Sequence, residues 1–137
     1  MASTLKINTL TGVSTAGSIA VTGEGNSTTT NLQQGLVKVW FQYNHDAEST
    51  YDSFNVGTIT DRATGNFIVN FTNNMGNDDY ALAGAAGFGY SLSFEDNEGE
   101  KTSATASDLL HVVTAVTADA GGVDQTVCSG MIAGDLA

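Results

Sequence analysis

Apolar and polar positions alternate along much of this chain, most densely between Gly35 and Thr72. Phe67, Val69 and Phe71 share one side of a period-two pattern and Asn66, Asn70 and Thr72 the other, the mark of a half-buried strand. Phe54, Val56 and Thr58 form a second run. Val37, Val39 and Phe41 form a third, with Lys38, Trp40 and Gln42 facing the opposite way. The link Asp61-Arg62-Ala63-Thr64-Gly65 ends in glycine, as expected of a hairpin loop of about three to five residues. Runs sharing an apolar face are enough to found a sheet core.

Downstream, Asn73 to Asp79 is a turn-rich loop, and Tyr80 to Ala83 predicts a strand running into a Gly/Ala tract at residues 84–89. Tyr90, Leu92 and Phe94 alternate with Ser91, Ser93 and Glu95, a weak strand follows near residues 101–106, and Val123 to Ile132 predicts the last strand. Residues 108–119 read two ways: Ser107 or Asp108 would cap a helix, but the β-branched run Val112 to Thr117 favours a strand.

The first 34 residues have a different texture. Thr4 to Asn8 and Gly17 to Thr22 read as short strands, Gly23 to Thr30 as a linker, and aromatic residues are missing throughout. Two such strands bury too little apolar surface to fold alone. Residues 1–34 are therefore predicted to be an attachment arm and linker that grips through Leu5, Ile7, Leu10, Ile19 and Val21, and residues 35–137 the body. Leu32 and Leu36, where arm and body meet, are candidates for self-association. The pattern predicts an all-β fold: a jelly-roll-like antiparallel β-sandwich of about eight strands with an extended N-terminal arm.

Composition narrows the partners. The chain has 137 residues, with 4 Lys and Arg against 15 Asp and Glu, a net charge of −11. A surface of that sign repels phosphate backbones and anionic membrane faces, so neither nucleic acid nor membrane is an expected partner. Only 14% of residues are charged, so solubility rests on Ser, Thr, Asn and 16 Gly, and without Pro the turns must come from Gly, Asn and Asp. MASTLKINTL lacks the apolar core of a signal peptide and no run reaches a membrane span, so the chain is expected to be made in a cytoplasm.

Candidate chemistry is sparse. Cys128, the single cysteine, lies in an apolar run and reads as a buried small hydrophobe. His45, in the polar stretch Asn44-His45-Asp46-Ala47-Glu48, reads as a solvated loop residue, and His111, between Leu110 and Val112, as a satisfied histidine at a strand edge. No pattern supports a Cys128, His111 and Asp108 constellation. Carboxylates cluster at Asp78-Asp79 and from Glu95 to Glu100, which in an acidic chain does not point to a glycosidase; the second cluster lacks the calcium-loop order and reads as a charged hairpin tip or a weak surface cation site. No phosphate-binding loop, dinucleotide fingerprint, zinc pattern or nucleophile elbow occurs, so no enzyme and no cofactor is expected.

Several stretches, taken in order, resemble the small virion proteins of marine tailed bacteriophages that serve as tail-fibre or structural proteins. Ser3 to Leu10 is similar to their STLKV(D/N)T(L/I) start and Gly35 to Trp40 to their GLAKAW strand. Asp52 to Asp61 with Thr64 to Thr72 is similar to their DSFNVSSITDNGTGDYTVNFT hairpin, and Asn77 to Ala81 to a following NANYA-like strand start. The resemblance spans roughly residues 3–82 and carries no catalytic residues. It implies a non-enzymatic virion part, assembled in the host cytoplasm as a homotrimer on other virion proteins. A capsid decoration or short head fibre, docked on the major capsid protein, is the first expectation. The alternative is a tail fibre that docks on a tail protein and binds a host-surface glycan through exposed aromatics such as Tyr43, Tyr51, Phe88 or Tyr90.

Overall fold

The computed structural model describes residues 4–12, 19–23, 28–32, 35–87, 90–93, 108–115, 122–134 and 136. The described residues form strands and turns and include no helix, so this part of the chain is all-β, with every described strand pair antiparallel. It divides into two compact units, Met1–Leu36 and Val37–Ala137.

Among its described residues the first unit holds one hairpin, β1 (Ala20–Thr22) with β2 (Thr29–Asn31), in the register Val21 opposite Thr30. Gly23 N–H closes its loop on Thr28 O at 2.9 Å, and Leu32 N–H extends the ladder to Ile19 O at 2.8 Å. The strand expected at Thr4 to Asn8 is not formed, and the stretch expected to be linker up to Thr30 supplies the second strand of the hairpin.

The second unit contains two four-stranded sheets. One runs in the order β4 (Ser49–Phe54), β3 (Val37–Asn44), β10 (Cys128–Ala133), β7 (Ala81–Ala86). The other runs β5 (Val56–Ala63), β6 (Asn66–Phe71), β9 (Asp108–Ala115), β8 (Tyr90–Ser93). Residues 108–115 are a strand, as their β-branched content favours, and His111 sits opposite Phe67, one residue beyond the point where the β8 ladder ends at Val112. The neighbours β3 and β4, β5 and β6, and β8 and β9 are hairpins within one sheet. In a jelly roll most consecutive strands alternate between the sheets, so the expected jelly-roll winding is not what the chain adopts. The loop at 95–100 and the weak strand at 101–106 lie outside the described residues.

Period two explains what is buried. Val39, Phe41 and Tyr43 of β3, Cys128 and Ile132 of β10, Phe67, Val69 and Phe71 of β6, and Leu92 of β8 form one apolar cluster with Met75 and Tyr80. The Phe67 ring meets Phe41 edge-on with centroids 6.0 Å apart and Tyr43 at 5.0 Å, so aromatic contacts join the two sheets. Each such ring contributes about 1.5–3 kcal/mol by leaving water.

Two departures from strict alternation have local causes. A register shift between Ile132 and Ala133 sets Ala133 opposite Val37, leaving Val37 exposed and Lys38 buried, the reverse of their expected sides. The expected run Phe54, Val56, Thr58 is cut at Asn55, which takes a left-handed backbone (φ 58°) where the chain passes from one sheet to the other. Asparagine tolerates that conformation. Asn55 is fastened to the end of β6: its Oδ1 accepts from Asn73 N–H at 2.7 Å, its Nδ2 donates to Asn73 O at 3.0 Å, and its carbonyl accepts from Thr72 N–H at 3.1 Å. Phe54 is left exposed.

Candidate functional site

Three places on the chain carry side chains that the fold does not simply bury. The first is the N-terminal unit. Leu5 is 78% exposed, and Ile7, Leu10, Val21 and Leu36 are each at least half exposed, while Ile19 and Leu32 are half-buried. The residues expected to grip a partner thus present their apolar surface to solvent, as single folded chains seldom do over a short segment.

The second place is a corner where His45, the β5–β6 hairpin and the lead-in to β10 converge. His45 follows β3 in a turn whose Ala47 N–H is capped by Asn44 Oδ1 at 3.0 Å. Its backbone N–H donates to Gln125 O at 2.9 Å, and its side chain is fully buried between ring contacts to Phe67 and Tyr43. The solvated loop histidine expected from its polar neighbours is therefore a core residue. The reason lies far along the chain, in residues 122–125, which fold over it.

Nε2 of His45 donates to Asp61 Oδ1 at 2.8 Å, and Nδ1 lies 3.3 Å from Asp124 Oδ1, near enough for attraction but off the line of a hydrogen bond. The same Asp124 oxygen accepts from Gly65 N–H at 2.7 Å. Gly65, at φ 74°, closes the tight β5–β6 turn, and a Cβ there would lie 2.4 Å from the Gly122 Cα. No other residue fits this approach. Chemically the corner sets an imidazole between two carboxylates, hydrogen-bonded to one of them, and the imidazole has no exposed surface on which to meet a substrate. Cys128 is likewise sealed: burial, aided by Asp124, pushes its thiol up to about 11, so it stays protonated at neutral pH, as expected of a buried small hydrophobe. Burial, reinforced by Glu48, also raises Tyr43, whose ring is in the core and is no candidate for exposed recognition.

The third place is open. On the outer face of the β4-β3-β10-β7 sheet a groove of about 540 Å³ is lined by Trp40, Gln42, Asp52, Ala83, Ser129 and Met131, among others. The register makes two parallel rows. Phe54, Trp40, Met131 and Ala83 are successive cross-strand neighbours, as are Asp52, Gln42, Ser129 and Ala85. Trp40 is 38% exposed, Met131 51% and Phe54 54%. The alternation had placed Trp40 and Gln42 away from the core, but which residues of β4, β7 and β10 stand beside them depends on strand pairings that period two does not encode.

Tyr51 is exposed, and its hydroxyl accepts from Asn44 Nδ2 at 3.1 Å and donates to Thr126 O at 3.2 Å. Phe88, Glu95 and Glu100 lie outside the described residues, as does the Tyr90 side chain, and Asp78 and Asp79 are exposed in a loop. Among the described residues no three His, Cys, Asp or Glu side chains are grouped to hold a metal ion. No family model matches the chain, and no curated protein and no solved structure is significantly similar to it.

Proposed function

We propose that this chain is a non-enzymatic structural protein of a tailed-bacteriophage virion, attached through its N-terminal unit and displaying the second unit on the capsid surface. The observation that carries the reading is the exposure of Leu5, Ile7, Leu10, Val21 and Leu36 on a unit whose described residues form one short hairpin. Apolar side chains on so slight a scaffold are stabilised only by burial against something else.

Around this stand supporting features. The two sheets share one aromatic core, which fits a β-sandwich body. The charge of −11 suits an outer particle surface better than a DNA-facing one. The histidine–carboxylate corner is closed to solvent, which fits a body that performs no catalysis. Leu32 and Leu36 flank the start of β3, where they would help hold a homotrimer on the major capsid protein.

The test mixes purified protein with phage particles stripped of it, after light scattering fixes the number of subunits. The expected result is a trimer that rebinds heads, and a chain lacking residues 1–30 that keeps the β signature of the second unit by circular dichroism but no longer rebinds. A truncated chain that rebinds as well as the full one would overturn the arm assignment. A full chain that ignores heads but binds tails would move it to the tail.

A further inference from the structure

We propose that the outer-face groove of the β4-β3-β10-β7 sheet binds a neutral saccharide, with Trp40 as the platform for a sugar ring and Asp52, Gln42 and Ser129 as the row that binds its hydroxyls. All of these residues lie in the second unit, so the site is independent of how the first unit attaches.

The rows set out above have complementary chemistry. One is apolar, with Trp40 between Phe54 and Met131; the other carries a carboxylate, a carboxamide and a hydroxyl. They are two residues apart on every strand, a separation of about 6.5–7 Å, on the scale of a pyranose ring. A pyranose has the matching pair of surfaces: a face of C–H bonds that packs on an indole, and a rim of hydroxyls that both donate and accept. Asp52 is prepared for the second task, since its Oδ1 accepts from Ser53 N–H at 2.8 Å, which orients the carboxylate and leaves the other oxygen to accept from a ligand. The groove volume of about 540 Å³ lies within the range of small-ligand sites.

The same features disfavour other occupants. The floor is the backbone of β3 and β10, each already paired on both sides. An extended peptide therefore cannot join as a strand, and its own backbone groups would lose water without replacement. Among the described residues the one charged lining residue is a carboxylate, on a chain of net charge −11, so phosphorylated, sulfated or sialylated ligands are repelled. A second copy would bring the same adverse charge.

Trp40 is the only tryptophan, so its fluorescence reports directly on the groove. The full chain would be screened on an array of neutral, sialylated and sulfated oligosaccharides, and hits titrated by fluorescence and by calorimetry. The expected result is saturable binding of one or more neutral oligosaccharides with a blue shift of Trp40 emission. Calorimetry should show affinity falling at least about tenfold in Trp40→Ala, as for an aromatic anchor, and by less in Asp52→Asn, with Tyr51→Ala unchanged. Each variant would be checked for wild-type circular dichroism. The proposal is overturned if no neutral saccharide binds at millimolar concentration, or if binding survives both Trp40→Ala and Asp52→Asn. It is equally overturned if light scattering shows that Met131→Glu dissociates an oligomer, because the groove is then covered by another copy.

Discussion

Trp40 and His45 stand on one strand and the turn that follows it, yet the indole is over a third exposed and the imidazole fully buried. Intrinsic polarity would order them the other way. The difference lies in what each meets. His45 is met by Asp61 from one sheet, Asp124 from the lead-in to β10, and the rings of Phe67 and Tyr43, so its polar atoms are largely compensated inside the core. Trp40 faces outward beside Phe54, Met131 and a row of hydrogen-bonding side chains. The corner around His45 is a site for stability and the groove around Trp40 a site for recognition, and substitutions should separate the two.

Phe67→Ala removes the ring that joins both sheets and should cost about 3–5 kcal/mol, seen as a fall in the denaturant midpoint or as failure to fold. His45→Leu keeps the volume but leaves Asp61 and Asp124 facing an apolar group. Both carboxylates are partly hydrated, so the loss should be about 2–3 kcal/mol, with saccharide binding unaffected. A groove that lost binding with the corner would show that the two regions are one cooperative site.

Cys128 gives a subtler probe of the sealed side. Its thiol is raised to about 11, so above the ordinary thiol range the unfolded chain releases a proton that the folded chain keeps. Stability should therefore decline between about pH 9 and pH 11, by on the order of 2 kcal/mol from this group. Cys128→Ala should flatten that part of the profile; Tyr43, also raised by burial, contributes to the slope that persists. Smallest of all, Trp40→Ala should lower the unfolding free energy by about 1 kcal/mol, because more than half of its surface is covered, while it weakens binding at least about tenfold. A loss several times larger would mean that Trp40 is part of the packing.

The sequence discloses what depends on period two and conceals what depends on pairing. Phe67, Val69 and Phe71 alternate, and they are buried in that order. Phe54 continues an alternating run on paper, yet it is exposed because Asn55 turns the chain into another sheet. Val37 and Lys38 exchange sides through a register shift against β10 in which Lys38 is the extra residue of β3. His45 looks like a loop residue because the segment that buries it lies far along the chain, and loop polarity says nothing of long-range closure. The groove was half visible: alternation turned Trp40 outward, but only cross-strand register places Asp52, Gln42 and Ser129 beside its row.

The position of β3 has a mechanical consequence. The chain leaves the N-terminal unit at Leu36 and enters β3 at once, and β3 is bonded on one side to β4 and on the other to β10. Tension applied through an anchored N-terminus therefore loads an interior strand along its length, and its hydrogen bonds to both neighbours share the force in shear. A terminal strand at a sheet edge would instead peel away one bond at a time. Under such a pull, the body is held by the part of its sheet hardest to unzip.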